Sequence, residues 1–260
     1  MCTLSIITTE PREHRTGAND RACFRMAFNR DEQRTRANGL PLELLAAGDR
    51  QAIYPRDPQG GGTWIAVNNV GIAFALLNRN EHGIPDGRSA GLSRGLIIPH
   101  LLSSCSLNEI AQVSGKIAQN VTRGFRLIAT DGERVLEVIG GDQRSEMTLV
   151  PLVRPIMRAS SGLGDEYVRD VRAELFESTV VRAPFEDRIE AQAAFHNHAW
   201  PDRRHLSIRM DRDEARSVSQ THINVELQKI TVQHAPRADS GAESGFAPVQ
   251  TIVLARGVAC

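Results

Sequence analysis

The sequence predicts an α+β fold organised around antiparallel sheets, and three observations carry that prediction. Short stretches of alternating apolar and polar residues open the 260-residue chain. Stretches with helical spacing follow, and strand-like runs return after them. That order suits α+β layering better than a strictly alternating α/β chain. Two apolar runs flank Asp131-Gly132, the signature of a hairpin between neighbouring strands.

Thr3–Thr8 reads as a strand, and the polar run Glu10–Asp20, with Pro11, Gly17 and Asn19, as a turn. In Cys23–Asn29 the residues Phe24, Met26 and Phe28 alternate with Arg25 and Ala27, which predicts a half-buried strand. If the two strands form a hairpin, Asn29, Arg30, Asp31 and Glu32 return beside Cys2. Gly60-Gly61-Gly62 breaks the chain, and Thr63–Asn68 and Val70–Leu77 then read as strands around an Asn68-Asn69 turn. Ser89–Ser103 and Leu107–Gln119 are predicted helices, with Pro99 a kink or end in the first. Phe125–Thr130, Arg134–Ile139 and Met147–Leu152 are predicted strands. Asp165–Glu177, with Val168, Val171 and Leu175 near helical spacing, and Asp187–His198 are predicted helices. Leu206–Met210, Ser217–Val225, Leu227–Gln233 and Thr251–Ala255 read as further strands. Residues 1–260 are read as a single domain with a flexible stretch at 236–249.

Hydrophobic residues make up 41% and charged residues 24% of the chain, and 31 Lys plus Arg balance 31 Asp plus Glu. That balance gives no global field for nucleic acid or an anionic membrane. No stretch approaches the ~18–20 apolar residues that a membrane span needs. Cys2, Cys23, Cys105 and Cys260 are far apart and form no CxxC pair, so neither a zinc ribbon nor a thioredoxin motif is present. The opening Met1-Cys2-Thr3-Leu4 lacks the basic region and apolar run of a signal peptide, and the expectation is a cytoplasmic protein with reduced thiols. His196, His198 and His205 are a lone histidine group. On a helix the first two point to different faces, and no carboxylate pair completes a set, so no metal site is expected.

Cys2 follows the initiator methionine, and its small side chain suits methionine removal. Processing would place a thiol and an α-amine on one residue. The amine, with an ordinary pKa near ~8, is a base close to neutral pH and can activate the thiol without a histidine.

Met1-Cys2-Thr3, followed by a strand ending in Asn29-Arg30-Asp31-Glu32, resembles the NRDE family, relatives of the Transport and Golgi organisation 2 proteins. Gly61-Gly62-Thr63-Trp64 resembles its GGTW block, Ser93-Arg94-Gly95 its SRG block, and Glu214-Ala215-Arg216-Ser217-Val218-Ser219 its C-terminal block. The likeness runs from Cys2 to about Gln233. It implies an N-terminal nucleophile hydrolase-like fold, with two stacked antiparallel sheets between helix layers. The opening also resembles bile salt hydrolases and penicillin V acylases.

By that likeness Cys2 would be nucleophile and base, Arg30 would stand near the thiolate, and Asp31 or Glu32 would hold the α-amine. Arg216 would be a further active-site arginine, and Asn29, Trp64 and Asn78 would line the substrate site. The spacing departs from the acylases, which separate the arginine and aspartate by two residues. Their oxyanion asparagine is also missing: the corresponding stretch reads Ser160-Ser161-Gly162-Leu163-Gly164-Asp165. There, Ser161 and Asp165 read as helix caps.

Two functions compete. The first is a cysteine N-terminal nucleophile hydrolase of a small linear amide or acyl bond, needing no cofactor. The alternative, also implied by resemblance, is a non-catalytic carrier of haem or of a lipid or acyl-CoA, with Cys2 as an axial haem ligand. A third reading, an interaction module with a decayed site, has no repeat or charge track to support it.

Overall fold

The computed structural model describes residues 2–11, 21–80, 92–121, 123–141, 144–238 and 246–257. Two antiparallel sheets stack face to face. The first contains β1 (Cys2–Thr8), β2 (Phe24–Gln33), β10 (Ile156–Ser160), β11 (Ala215–Val225), β12 (Lys229–Pro236) and β13 (Gln250–Ala255). Its order is β10-β1-β2-β11-β12-β13. The second is a meander of β3 (Leu42–Ala47), β4 (Arg50–Pro55), β5 (Ile65–Asn68), β6 (Ala73–Asn78), β7 (Phe125–Thr130), β8 (Arg134–Gly141) and β9 (Arg144–Pro151), paired in chain order.

Each strand's period of two divides its residues between two layers. Cys2, Leu4 and Ile6 of β1 and Phe24, Met26 and Phe28 of β2 meet Ile53, Ile65, Val67, Ala75 and Leu77 of the other sheet in the central core. The Phe24, Met26 and Phe28 stripe is therefore core. On the outer face of the second sheet lie α1 (Ile97–Leu101) and α2 (Leu107–Ala118), buried through Ile97, Ile98, Leu101, Leu107 and Ile110. On the outer face of the first lie α3 (Glu166–Phe176) and α4 (Arg188–Asn197), where Phe176 and Phe195 pack on Ile7. The result is the expected sequence of layers: helices, sheet, sheet, helices.

Several elements differ from the prediction for identifiable reasons. β2 is buried on both faces from Phe24 to Asp31, because it lies between β1 and β11 and under a helix layer. Leu206–Met210 is not a strand. Its backbone bonds elsewhere: Leu206 and Ser207 carbonyls accept from Arg172, Arg209 N–H donates to His198, and Met210 N–H donates to the Ser217 hydroxyl. Pro99 does not end α1, which continues to Leu101. It sits in the first turn, where a missing N–H costs nothing. The buried face of α3 is Val168, Arg172 and Phe176, not Val168, Val171 and Leu175.

Three strands went unread: β3, β4 and β10. The Gly48-Asp49 turn between β3 and β4, with Gly48 at φ 60°, was the available signal. In the 131–133 connection Gly132 has positive φ (89°), and the Asp131 carboxylate accepts from the backbone of Glu133 and Arg134.

Most of the predicted Glu10–Asp20 turn and the start of the predicted Ser89 helix lie outside the described residues. So does the middle of the 236–249 stretch. Its flanks are joined by a bridge between Arg237 and Phe246 and by Ala247 N–H donating to Pro236 O at 2.7 Å. No helix among the described residues is long and apolar enough to cross a membrane.

Candidate functional site

Cys2 heads β1 and stands opposite Arg30 in the β1–β2 register, so both side chains leave the sheet on the same face. That face opens into a cleft of about 380 Å³, lined by Cys2, Arg30, Asp31 and Glu32 together with Asp57, Trp64, Asn78 and Arg94. The sequence blocks that looked separate meet here. Thr63 N–H donates to the Gly95 carbonyl at 2.9 Å, joining the GGTW and SRG segments backbone to backbone. A Cβ on Gly62 would lie 2.1 Å from that same carbonyl oxygen, so the contact requires glycine. Gly60 and Gly62 line the cleft wall, and the Arg30 guanidinium lies 4.0 Å from the centre of the Trp64 ring, a cation–π contact.

Arg30 also faces two carboxylates, Glu32 at 3.2 Å and Asp57 at 3.8 Å. Arg36 closes the cluster, pairing with Glu32 at 3.1 Å and with Asp57. Burial pulls the Arg30 guanidinium below its ordinary range, while Glu32, Cys2 and Asp57 act to hold it charged. Burial pushes the Cys2 thiol up. The Asp31 carboxylate adds to that, whereas the Asp31 backbone N–H and the Arg30 charge favour the thiolate.

Asp31 and Glu32 have different surroundings. Asp31 is 3% exposed, accepts from the Ser217 hydroxyl at 2.5 Å, and belongs to the helix-side face of the sheet. Burial pushes its carboxyl up; Arg172, Ser217 and Arg212 oppose that shift. Glu32 belongs to the arginine cluster on the cleft side. Strand alternation makes this division, and β11 shifts register beside it: Ser217 pairs with Asp31 and Ser219 with Arg30, leaving Val218 as a bulge.

Two expected residues stand elsewhere. Asn29 is fully buried on the helix-side face, donating to the carbonyls of His196 at 2.8 Å and Ile208 at 3.1 Å and bonding the His196 ring at 2.9 Å. It anchors α4 and does not line the cleft, because period-two alternation turns it away from Arg30. Arg216 pairs with Glu32 in the strand register, one strand further from Cys2. It is absent from the described cleft lining and lies near Arg237. Trp64 and Asn78 do line the cleft.

The Ser160–Asp165 turn is also outside the described lining. Three of its N–H groups are committed: Ser161 to the Asp165 carboxylate, Leu163 to the Ser161 hydroxyl, and Gly164 to the Ser161 carbonyl. Asp165 stands at the N-cap position of α3, but its carboxylate receives Ser161 and Asn80 N–H instead of the helix. This stretch ties β10 to the end of β6, so the expectation of simple caps is corrected.

Sequence reasoning missed Arg172. It is 0% exposed, with Nη1 donating to Thr3 Oγ1 at 2.7 Å, Nη2 to Ser207 O at 2.7 Å and Nε to Leu206 O at 3.0 Å. An arginine four residues from each of Val168 and Phe176 was the available signal. The histidines do not gather. His196 is buried with Nε2 2.7 Å from Ser5 Oγ, and His198 packs edge-on against Trp200. Among the described residues no group of three His, Cys, Asp or Glu is placed to hold a metal.

Chains of known structure that resemble this one include two hydrolases. An N-acylethanolamine-hydrolyzing acid amidase orthologue from Caenorhabditis elegans aligns at TM-score 0.50 and 8% identity, over 85% of this chain and 92% of that one. A mutant of conjugated bile acid hydrolase from Clostridium perfringens aligns at TM-score 0.46 and 9% identity, over 97% and 96%. The two-sheet architecture between helix layers is that of the N-terminal nucleophile hydrolase fold. No curated protein matches the sequence. The family model described as Transport and Golgi organisation 2 matches residues 1–254. With its NRDE segment at Asn29–Glu32, the chain belongs to the Transport and Golgi organisation 2 family.

Proposed function

We propose that this protein is a cysteine N-terminal nucleophile hydrolase that cleaves a small linear amide or related acyl bond. The observation that carries the proposal is the position of Cys2: it heads an internal strand, opens into the cleft, and faces Arg30 across the β1–β2 ladder. Removal of Met1 frees the Cys2 α-amine. The amine takes the thiol proton, and the thiolate attacks the substrate carbonyl carbon. The tetrahedral oxyanion then collapses, the C–N bond breaks, and the α-ammonium returns its proton to the leaving nitrogen. Water, deprotonated by the same amine, attacks the thioester and releases the acid. Arg30 stabilises the thiolate, Asp31 holds the amine, and the Asn78 amide supplies a donor at the cleft.

The carrier alternative has less support. Among the described lining residues only Trp64, Leu76 and Leu92 are large and apolar, too little to cover a haem face or an acyl chain. The test is turnover of a panel of linear acyl amides by protein with confirmed loss of Met1, beside Cys2→Ala. Turnover that depends on Cys2 supports the proposal; equal rates overturn it.

A further inference from the structure

We propose that Arg34, Arg216 and Arg237, gathered where β2 and β12 end and β11 begins, form a binding site for a phosphate dianion, taken up free or as a phosphoester. The site is separate from the Cys2 cleft, whose described lining includes none of the three. It does not depend on the hydrolase reading.

Backbone pairing brings the three arginines together. Arg34 follows β2, and its N–H donates to Glu214 O at 3.0 Å. Arg237 follows β12, and its N–H donates to Val218 O at 2.7 Å. Arg216 forms an antiparallel bridge with Asp211, so those two side chains leave on one face. Arg34 and Arg237 turn to the same Asp211: Arg34 pairs with Oδ1, and Arg237 Nη2 lies 3.9 Å from Oδ2. Three guanidinium groups therefore gather around one carboxylate.

That carboxylate does not satisfy them. A separation of 3.9 Å is too long for a hydrogen bond. Arg237 is 9% exposed; its Nη1 donates to Ser217 O at 3.3 Å, but its buried Nε has no hydrogen-bond partner among the described residues. Arg216 Nε is buried and unpartnered in the same way. Two neighbouring carboxylates are engaged elsewhere. Glu32, opposite Arg216 in register, meets Arg30 and Arg36 through Oε2 and Gln33 N–H through Oε1. Glu214 pairs with Arg212 at 3.1 Å. Burial pulls the Arg237 guanidinium below its ordinary range, and Arg216, Arg34 and Arg209 push the same way against Asp211.

Buried guanidinium donors need an acceptor, and a bound anion supplies it. Three positive charges against one negative leave an excess of two, which suits a dianion, and the arginine fork matches phosphate oxygens. The rim is open, with Arg34 38% and Asp211 32% exposed, so an ion can enter above the buried Arg237.

The test is calorimetric titration of the full chain with inorganic phosphate and with phenyl phosphate, at about pH 7.5, where both are mainly dianions, and at constant ionic strength set with chloride. At least one of them should bind one-to-one with a Kd below about 1 mM. Arg216→Gln and Arg237→Gln should each weaken that binding about tenfold or more. Arg154→Gln, 66% exposed beyond β9, should leave it unchanged. Saturation by both ligands supports a site for the phosphate group itself, and saturation by phenyl phosphate alone supports a phosphoester site. No saturable binding of either, wild-type affinity in Arg216→Gln, or an equal loss in Arg154→Gln overturns the inference. Should Arg237→Gln fail to fold, Arg216→Gln decides.

Discussion

Replacing Gly62 with alanine tests whether the GGTW and SRG segments form one rigid wall of the cleft. The new Cβ would stand 2.1 Å from Gly95 O, 2.2 Å from its carbonyl carbon and 2.8 Å from its Cα. All three atoms are backbone, so no rotamer change relieves the overlap. Restoring normal contact separates the segments by about 1 Å. That movement breaks the Thr63–Gly95 hydrogen bond of 2.9 Å and strains the Asp57 N–H to Gly62 O bond of 2.8 Å. A lost hydrogen bond contributes about 1 kcal/mol and the overpacking about 1–3, so the expected loss is about 2–4 kcal/mol. At about 2–4 °C per kcal/mol for a chain of this size, calorimetry should show Tm falling by about 5–15 °C. Two controls separate contact from backbone strain. Gly61 has φ 67° with open space around its Cβ position, and its alanine variant should cost about 1 kcal/mol. Gly162 has open space and no positive φ, and its alanine variant should be neutral or slightly stabilising. If Gly62→Ala melts with Gly162→Ala, the reasoning is refuted.

Other consequences are directly measurable. Arg30→Met leaves Glu32 and Asp57, 19% and 13% exposed, with Arg36 as their ion-pair partner among the described residues. It should lower stability by about 2 kcal/mol in urea titration and slow Cys2 labelling at neutral pH; unchanged values for both would contradict the cluster's role. Burial, with Arg25 and Arg30 adding respectively, pushes His222 down to about 3 and His234 down to about 4. Between the ordinary imidazole pKa of ~6.5 and those values the unfolded chain binds protons that the fold refuses. Stability therefore falls on acidification, by about 1.4 kcal/mol per pH unit per histidine, and is unaffected by these groups above pH ~7. His234→Gln should flatten the acid limb by one proton, and an unchanged slope would sink the assignment.

Much of the site was legible because its residues are close in register as well as in sequence. The Cys23–Asn29 alternation predicted the hairpin, and the hairpin alone brings Arg30 to Cys2. The GGTW and SRG blocks were legible as patterns, but their contact was not: it depends on two backbones meeting from distant parts of the chain. Asn29 was misplaced because the four-residue block reads as a unit, whereas a strand sends its neighbours to opposite layers. Asp31 and Glu32 stayed undecided for the same reason, until the bulge at Val218 and the partners of each carboxylate were known. Arg172 escaped because a charged residue in a helix normally marks the solvent face, and only tertiary structure supplies Thr3, Leu206, Ser207 and Asp31 as its surroundings.

The central claim, that Cys2 is an activated N-terminal nucleophile, is tested most directly by intact mass and peptide mapping after brief exposure to a linear acyl-amide substrate followed by acid quench. Met1 should be absent, and an acyl group should be carried on Cys2, lost again with time and never formed in Cys2→Ala. A retained Met1, or acylation that ignores Cys2, would contradict it.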